Sequence, residues 1–259
     1  MSLYHQIEGE GAPLVLVHAG ICDSRMWDAQ WPQVADGHRA LRYDMRGFGR
    51  SPIPPQPFSH AADLADLLDS QAIAGASVVA VSMGGRVALE VAVARPDLVS
   101  RLVLSGPGLP GHHWSQAVRE YGEAEDAAIA AGDLDAASEI NVRFWVDGVG
   151  RTSDQVDAGV RRRVHEMQRR ALELQIEAGD AAEEHLLADD VDRRLAEIAV
   201  PTMVLVGEHD VADMHAIAGR IASAVPGARL ERIAGTAHLP SMERPAEFDR
   251  LVLGFLSVG

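Results

Sequence analysis

Two kinds of hydrophobic pattern alternate over the first and last parts of the chain. Short apolar runs of the length of buried strands are separated by segments in which apolar residues recur every three or four positions. Such alternation is typical of a parallel sheet with helices on both faces, so the sequence predicts an α/β fold with a mostly parallel sheet. The predicted strands lie near residues 3–7, 14–18, 39–44, 77–81, 101–105, 202–206 and 229–233. The predicted helices lie near residues 28–36, 60–74, 84–95, 213–224 and 245–256.

The middle of the chain departs from this alternation. No strand is predicted between residue 105 and residue 200, and the intervening segment has helical spacing with many charged positions. The sequence therefore predicts a helical insertion over residues 108–196, with an α/β core formed by residues 1–107 and 197–259. The helical segments predicted inside the insertion are residues 115–131, 133–147, 154–179 and 181–196.

Composition narrows the classes of partner and location. The 259 residues are 47% hydrophobic, which is enough to fill a large core. The net charge of −15 disfavours nucleic acid and anionic membrane surfaces as partners. No stretch approaches the roughly 18 apolar residues of a membrane span, and the N-terminus lacks the pattern of a signal peptide. The single cysteine, Cys22, excludes an intrachain disulfide, so we expect a cytoplasmic protein.

The basic residues restrict the chemistry further. All 23 are arginine, so Schiff-base formation, lysine-held pyridoxal phosphate and a phosphate-binding P-loop lysine are excluded. The 11 histidines are scattered, and the neighbouring His112 and His113 would not easily face one ion, so we expect no metal site. The chemistry must then come from serine, histidine, aspartate or arginine, without a cofactor.

A serine directly follows the fourth predicted strand. Residues 79–86 read VAVSMGGR, with Ser82 at the junction between an apolar strand and a helix that begins with small residues. This is the pattern of the G-x-S-x-G nucleophile elbow, with Ala80 in place of the first glycine. The sharp turn exposes the serine hydroxyl and leaves the N–H of Met83 at a helix N-terminus, where partial positive charge suits a developing oxyanion.

Two more polar residues follow later strands. Asp210 comes just after the apolar run 200–206, and His238 follows the alternating run 230–234. Ser82, Asp210 and His238 thus occur in the chain order of an α/β-hydrolase triad, each beyond the carboxyl end of a predicted strand. Because parallel strands bring their carboxyl ends to one edge of a sheet, we expect these side chains to meet there.

Taken together, these motifs resemble the alpha/beta hydrolase fold family over nearly the whole chain outside the insertion. Residues 14–20, LVLVHAG, are similar to the family's oxyanion loop, and residues 43–51, YDMRGFGRS, to its Asp-x-Arg-Gly-x-Gly-x-Ser turn. His238 followed by Glu243 and Pro245 matches its usual ending. The resemblance implies that the insertion is the family's helical cap, which lies over the edge of the sheet that carries the triad.

The resemblance also implies roles for the triad. Ser82 is the nucleophile, His238 takes its proton, and Asp210 holds the imidazole and stabilises its charged form. Glu208 is a weaker competing acid, and Asp210 has the alternative role of a helix cap. Residues 105–111, where some members of the family carry the acid, contain no acidic residue, which favours Asp210.

The residues around the triad are less determined. The oxyanion is expected between the N–H of Met83 and that of Gly20, with Ile21 as the alternative second donor. Trp145, in the most distinctive patch of the insertion, either lines the substrate pocket or packs the cap on the core. His18 is expected to be a buried orienting residue rather than a base.

The predicted function is hydrolysis of a small-molecule carboxylic ester or lactone through an acyl-enzyme. Hydrolysis of a carbon–carbon bond or perhydrolysis at the same triad is the alternative, as is a ligand-binding member of the fold without catalysis. Haloalkane dehalogenase and epoxide hydrolase are disfavoured, because both use an aspartate where this chain has Ser82. An acidic surface is compatible with a monomer or a homodimer.

Overall fold

The computed structural model of the protein describes residues 3–179 and 183–257. Within these residues, seven strands form one sheet in the order β1-β3-β2-β4-β5-β6-β7, and only the β1–β3 pair is antiparallel. Each predicted strand overlaps an observed one, so the predicted α/β fold with a mostly parallel sheet is confirmed. The strands are β1 (His5–Glu8), β2 (Pro13–Val17), β3 (Arg39–Tyr43), β4 (Ala76–Val81), β5 (Val99–Ser105), β6 (Thr202–Gly207) and β7 (Arg229–Ile233).

Helices cover both faces of this sheet and build most of the insertion. None of those in the described part of the chain combines the length and the apolarity that are needed to cross a lipid bilayer. A π-helix, Val142–Asp147, continues directly from α5. The α-helices are α1 (Trp31–Gly37), α2 (His60–Ser70), α3 (Met83–Ala94), α4 (Gln116–Ala130), α5 (Leu134–Asn141), α6 (Ala158–Ala178), α7 (Val191–Arg194), α8 (Ala212–Ala224), α9 (Pro240–Glu243) and α10 (Pro245–Leu256).

Two helix boundaries differ from the predictions for local reasons. Helix α1 begins at Trp31 rather than near residue 28, because the preceding residues form a separate 3₁₀ turn and Pro32 suits the first turn of a helix. Helix α2 ends at Ser70 rather than near residue 74, because Ala72 takes a left-handed conformation with φ 51°.

Alternate residues of the central strands enter two apolar cores, one on each face of the sheet. In β4, Val78 and Ala80 belong to one core, whereas Val79 and Val81 belong to the other. This follows from the two-residue period of side chains along a strand. Burial on both faces explains why the central strands read as continuous apolar runs. The carboxyl ends of these strands are therefore held rigidly at one edge, where the candidate residues lie.

The insertion leaves the sheet after β5 and returns to it at β6. Helices α4, α5 and α6, together with the π-helix, occupy the first three predicted helical segments. The division into a core and a cap at residues 108 and 196 stays a prediction.

The fourth predicted helical segment, residues 181–196, is wrong over residues 183–190. Residues 183–190 are not helical, and helix begins only at Val191. Backbone pairing with Phe58 holds residues 183–185 extended, because Phe58 N–H donates to the Glu183 carbonyl and His185 N–H donates to that of Phe58. Residues 181 and 182 lie outside the described residues.

Candidate active site

Ser82 lies in the sharp turn between β4 and α3. Its backbone has φ 56° and ψ −118°, a conformation that residues other than glycine rarely adopt. Two hydrogen bonds hold this turn: Ser82 N–H donates to the Ser105 carbonyl at 3.0 Å, and the Ser82 carbonyl accepts from Gly108 N–H at 2.9 Å. Backbone strain of this kind persists only where the surrounding structure enforces it, and it concentrates at functional sites.

Two glycines allow α3 to approach the sheet behind this serine. A Cβ atom on Gly84 would lie 2.5 Å from the His18 carbonyl oxygen and 2.8 Å from that of Val17. A Cβ atom on Gly85 would lie 2.6 Å from the Cβ of Pro107. Glycine is therefore required at both positions, and the start of α3 is held directly against the loop that follows β2.

Asp210 lies directly after β6 and is buried. One carboxylate oxygen, Oδ2, is 2.9 Å from Nδ1 of His238, and the other accepts the N–H of Val211 at 2.8 Å. Asp210 thus contacts the imidazole and the chain leading into α8 at the same time. Glu208, the competing acid, does not contact His238: its side chain is 57% exposed and accepts the N–H of Gly235.

His238 is enclosed between the acid and the insertion. Its side chain is 2% exposed, and its backbone N–H donates to the Trp145 carbonyl at 3.1 Å. The indole of Trp145 packs on the imidazole at 4.5 Å between ring centres. Because Nδ1 faces Asp210, Nε2 is the ring nitrogen that is left to accept a proton from a nucleophile.

The loop after β5 joins the serine to the acid–histidine pair. Gly106 follows Ser105, whose carbonyl accepts the N–H of Ser82. A Cβ atom on Gly106 would lie 3.0 Å from His238 Nδ1 and 3.1 Å from Asp210 Oδ2. Among the described residues, no hydrogen bond joins Ser82 Oγ to His238. In unliganded enzymes such contacts often tighten only when substrate binds.

The two sides of the predicted oxyanion site are in contact. A Cβ atom on Gly20 would lie 3.3 Å from the Cβ of Met83. The N–H of Met83 is the first of α3 and has no partner within the helix. In the described chain, neither Gly20 N–H nor Ile21 N–H donates to another protein group. Both residues therefore stay candidates for the second donor.

His18 lies in the loop after β2 that carries the predicted second oxyanion donor. It is fully buried, its Nδ1 lies 2.8 Å from the Ala19 carbonyl, and its Nε2 accepts the N–H of Met45 at 2.9 Å. Burial lowers the pKa of His18, which keeps the ring neutral. Asp44 similarly accepts two backbone N–H groups, and Arg46 is bound to an aspartate of α2. These contacts hold the loops after β2 and β3 in place.

The chain also matches the sequence model of a known family. The model is described as "Alpha/beta hydrolase family" and aligns with residues 14–251, which include every candidate residue described above. The chain belongs to the alpha/beta hydrolase family. The resemblance that the motifs indicate is therefore confirmed, and with it an enzyme of the hydrolase class.

Relatives of this hydrolase have names that denote several substrates. It is 26% identical to carboxylesterase YbfK of Bacillus subtilis (strain 168), over 95% of this chain and 80% of the relative. It is also 26% identical to 2-hydroxy-6-oxo-6-phenylhexa-2,4-dienoate hydrolase of Comamonas testosteroni, over 98% and 91% of the two chains. The structure of the enol-lactonase from Burkholderia xenovorans LB400 matches with a TM-score of 0.80 and 26% identity, over 98% and 96%.

Two surface cavities of this alpha/beta hydrolase lie beside Arg25. Their volumes are about 410 Å³ and 480 Å³, and their walls come from the loop after β2, the first strands and α6. Neither is lined by Ser82, Asp210 or His238. We therefore assign neither cavity to the candidate active site.

Sequence reasoning missed two residues that shape this site. Gly106 provides the space in which the acid and the imidazole meet, and the GPG sequence directly after a predicted strand is a signal that could have indicated a close approach. Arg151 binds Glu243 and the chain beside His238, although the two residues are 92 positions apart. No local pattern indicates such a contact.

Proposed function

We propose that this alpha/beta hydrolase cleaves a small-molecule carboxylic ester or lactone through an acyl-enzyme on Ser82. The observation that carries the proposal is the hydrogen bond of 2.9 Å between Asp210 and His238, both nearly excluded from water, at the edge of the sheet where Ser82 is held in a strained turn. The enol-lactonase and carboxylesterase among the relatives support this class of substrate.

In the acylation step, Ser82 Oγ forms a bond to the acyl carbon and its proton passes to His238 Nε2. Asp210 stabilises the imidazolium through Nδ1–H. The carbonyl oxygen becomes an oxyanion between the N–H of Met83 and that of Gly20 or Ile21. Collapse of this intermediate breaks the bond to the leaving oxygen, which takes the proton from His238.

In the deacylation step, water enters the same site. His238 removes a proton from the water while the water oxygen attacks the acyl carbon of the acyl-enzyme. The second tetrahedral intermediate then expels Ser82, which recovers its proton from the imidazolium. The products are a carboxylic acid and an alcohol, which in a lactone stay in one molecule. Besides the substrate and water, each step uses only side chains and backbone groups of this chain, so the proposal includes no cofactor and no metal.

We further assign residues 108–196 to a cap over this site, with residues 1–107 and 197–259 as the core. The contact of Trp145 with His238 supports this assignment, because it brings the insertion to the candidate base. Trp145 would then form part of the wall that contacts the substrate. A covered site limits the substrate to a small molecule and excludes bulk water. A cytoplasmic monomer or homodimer is part of the same proposal.

Hydrolysis of a carbon–carbon bond is the second candidate, favoured by the similarity to the dienoate hydrolase of Comamonas testosteroni. A panel of short p-nitrophenyl esters, lactones and a dienoic diketone would distinguish the two candidates by their kcat/KM values. Higher kcat/KM for the diketone than for every ester and lactone would overturn the ester and lactone assignment.

The role of Ser82 is tested with Ser82→Ala, and Ser100→Ala is the matched control, because Ser100 is an exposed serine of β5. We expect Ser82→Ala to abolish ester turnover and labelling by a fluorophosphonate, while Ser100→Ala keeps both. In a separate pair, Asp210→Asn should lower kcat by about 10⁴-fold, because it favours the wrong tautomer of the imidazole. Glu208→Gln should leave kcat unchanged.

Mass spectrometry after brief exposure to an ester separates an enzyme from a binding protein. An enzyme forms an acyl adduct on Ser82 and then clears it. Wild-type protein that forms no adduct and takes up no fluorophosphonate would contradict the proposed nucleophile and favour a ligand-binding member of the family.

A further inference from the structure

Arg151 joins the end of the π-helix to the loop that carries His238. Its guanidinium donates to the carbonyls of Val146 and Asp147 at 2.6 and 2.7 Å, and to the Gly235 carbonyl at 2.9 Å. It also forms an ion pair with Glu243 at 2.8 Å. The side chains of the pair are only 9% and 4% exposed. Four bonds from one planar group thus connect the insertion to the core.

Glu243 continues this connection to the residue before His238. One of its carboxylate oxygens binds Arg151, and the other accepts the N–H of Ala237 at 2.9 Å. His238 itself donates its N–H to the Trp145 carbonyl. The backbone that leads to the imidazole is therefore held at three residues. Arg151 holds Gly235, Glu243 holds Ala237, and the π-helix holds His238.

The turn after the π-helix packs closely against two loops of the core. Gly148 has φ 70°, and a Cβ atom there would lie 2.4 Å from the His209 carbonyl oxygen and 2.5 Å from the Cβ of Ala237. Val149 N–H donates to the same His209 carbonyl at 2.7 Å. His209 directly precedes Asp210, so this turn contacts both the loop of the acid and the loop of the histidine.

We propose that Arg151 and Glu243 are a pair of positioning residues that hold the π-helix Val142–Asp147 against the His238 loop and thereby fix the imidazole for proton transfer. The inference rests on the proposed function, because it assigns His238 the role of the base. Neither residue touches the reacting atoms. Their effect passes through the backbone of residues 235–238 and through the contact of Trp145 with the imidazole.

The chemistry of the pair indicates positioning rather than general stabilisation. A buried ion pair is weak support for a fold, since apolar residues of similar volume often serve as well. The planar guanidinium, however, fixes several partners in defined directions, whereas a lysine offers one nitrogen on a flexible stem. The segment it holds is a π-helix. This conformation is rare in proteins overall, but where it occurs it is often at a functional site.

The test compares wild-type enzyme with Arg151→Met, Arg151→Lys and Glu243→Gln. The matched control is Arg143→Met, because Arg143 belongs to the same π-helix but its side chain is 72% exposed and, among the residues that the structure describes, pairs only with Glu139. Each protein is assayed for kcat and KM with p-nitrophenyl butyrate over a range of pH. The chemical shifts of the His238 ring at a fixed pH are followed by NMR, which does not require turnover.

We expect Arg151→Met to lower kcat on the order of 10- to 100-fold, as for a misplacement of a reacting group by about 1 Å, with little change in KM. Glu243→Gln should act in the same direction, and Arg151→Lys should not restore kcat. The NMR chemical shifts of the His238 ring should change in these three variants. Arg143→Met should match the wild-type enzyme in all of these measurements.

A folded Arg151→Met variant with wild-type kcat, pH profile and His238 ring chemical shifts would overturn the inference. If that variant does not fold, the same wild-type values in Arg151→Lys and Glu243→Gln would overturn it. Failure of the proposed function looks different, because wild-type protein would then neither hydrolyse the ester nor take up a fluorophosphonate. In that case His238 ring chemical shifts that change in Arg151→Met but not in Arg143→Met still show that the pair positions the imidazole.

Discussion

The indole of Trp145 lies against the imidazole of His238, with 4.5 Å between ring centres and 39° between ring planes. The backbone of the same tryptophan accepts the N–H of His238. One residue of the insertion therefore contacts the candidate base through both its side chain and its main chain. The indole of Trp145 also packs against the rings of Phe144 and Tyr121, which both belong to the insertion.

This contact predicts a graded effect of substitutions at Trp145. A close aromatic pair contributes about 0.5–1.5 kcal/mol beyond its buried area, which corresponds to roughly 2- to 10-fold in rate if it is lost in the transition state. We expect Trp145→Ala to lower kcat/KM for a short ester by about this factor or more, and Trp145→Phe to retain most of it. Steady-state kinetics measures both. Equal activity of Trp145→Ala and wild type would mean that the ring does not support catalysis.

Alanine substitutions at Gly84 in α3 and at Gly122 in α4 should change the free energy of unfolding in opposite directions. In Gly84→Ala, the new Cβ atom would meet the backbone carbonyls of His18 and Val17, which cannot rotate away. We expect this variant to lose about 1–3 kcal/mol of unfolding free energy or more. Gly122, inside α4, has no neighbouring atom within 4 Å of such a Cβ, so Gly122→Ala should gain about 0.5–1 kcal/mol.

Urea unfolding of the two alanine variants and wild type provides the measurement. Activity adds a second comparison, because Gly84 lies between the oxyanion loop and Ser82 whereas Gly122 does not. Gly122→Ala should keep wild-type kcat. A Gly84→Ala variant as stable as wild type would show that α3 does not need to approach the sheet as closely as in this structure.

His60 predicts how stability depends on pH. It is buried, and burial, together with the charges of Arg86 and Arg46, lowers its pKa from 6.5 to about 3. Above about pH 6.5 the ring is neutral in both states, so its contribution to stability is fully present. As the pH falls below that value, the unfolded chain binds a proton that the folded protein does not bind, and stability is lost.

The expected size of this loss is about 2 kcal/mol of unfolding free energy between pH 7 and pH 5. The measurement is urea unfolding of wild type and His60→Gln at both pH values. The pH dependence should be flatter in the variant by roughly this amount, while the contribution of buried His18, which has the same sign, is common to both proteins. Parallel pH dependences would contradict a buried neutral His60.

Much of the core could be predicted because its signals are local. The strand that precedes Ser82 reads as an apolar run because both of its faces are buried, and the order of Ser82, Asp210 and His238 follows from the order of the strands. Residues 183–190 could not be predicted in this way. Their spacing is helical, but pairing with Phe58 and a hydrogen bond from Leu187 N–H to Glu90 hold them in another conformation.

By itself, the sequence determined the sheet, the flanking helices and the positions along the chain where Ser82, Asp210 and His238 follow strands. It could do so because the periods of strands and helices are properties of the backbone over a few residues. Only the tertiary structure decided that Trp145 packs on His238 and that Arg151 binds Glu243. Those contacts join segments that are nearly a hundred residues apart, so they depend on the path of the whole chain, which no local pattern records.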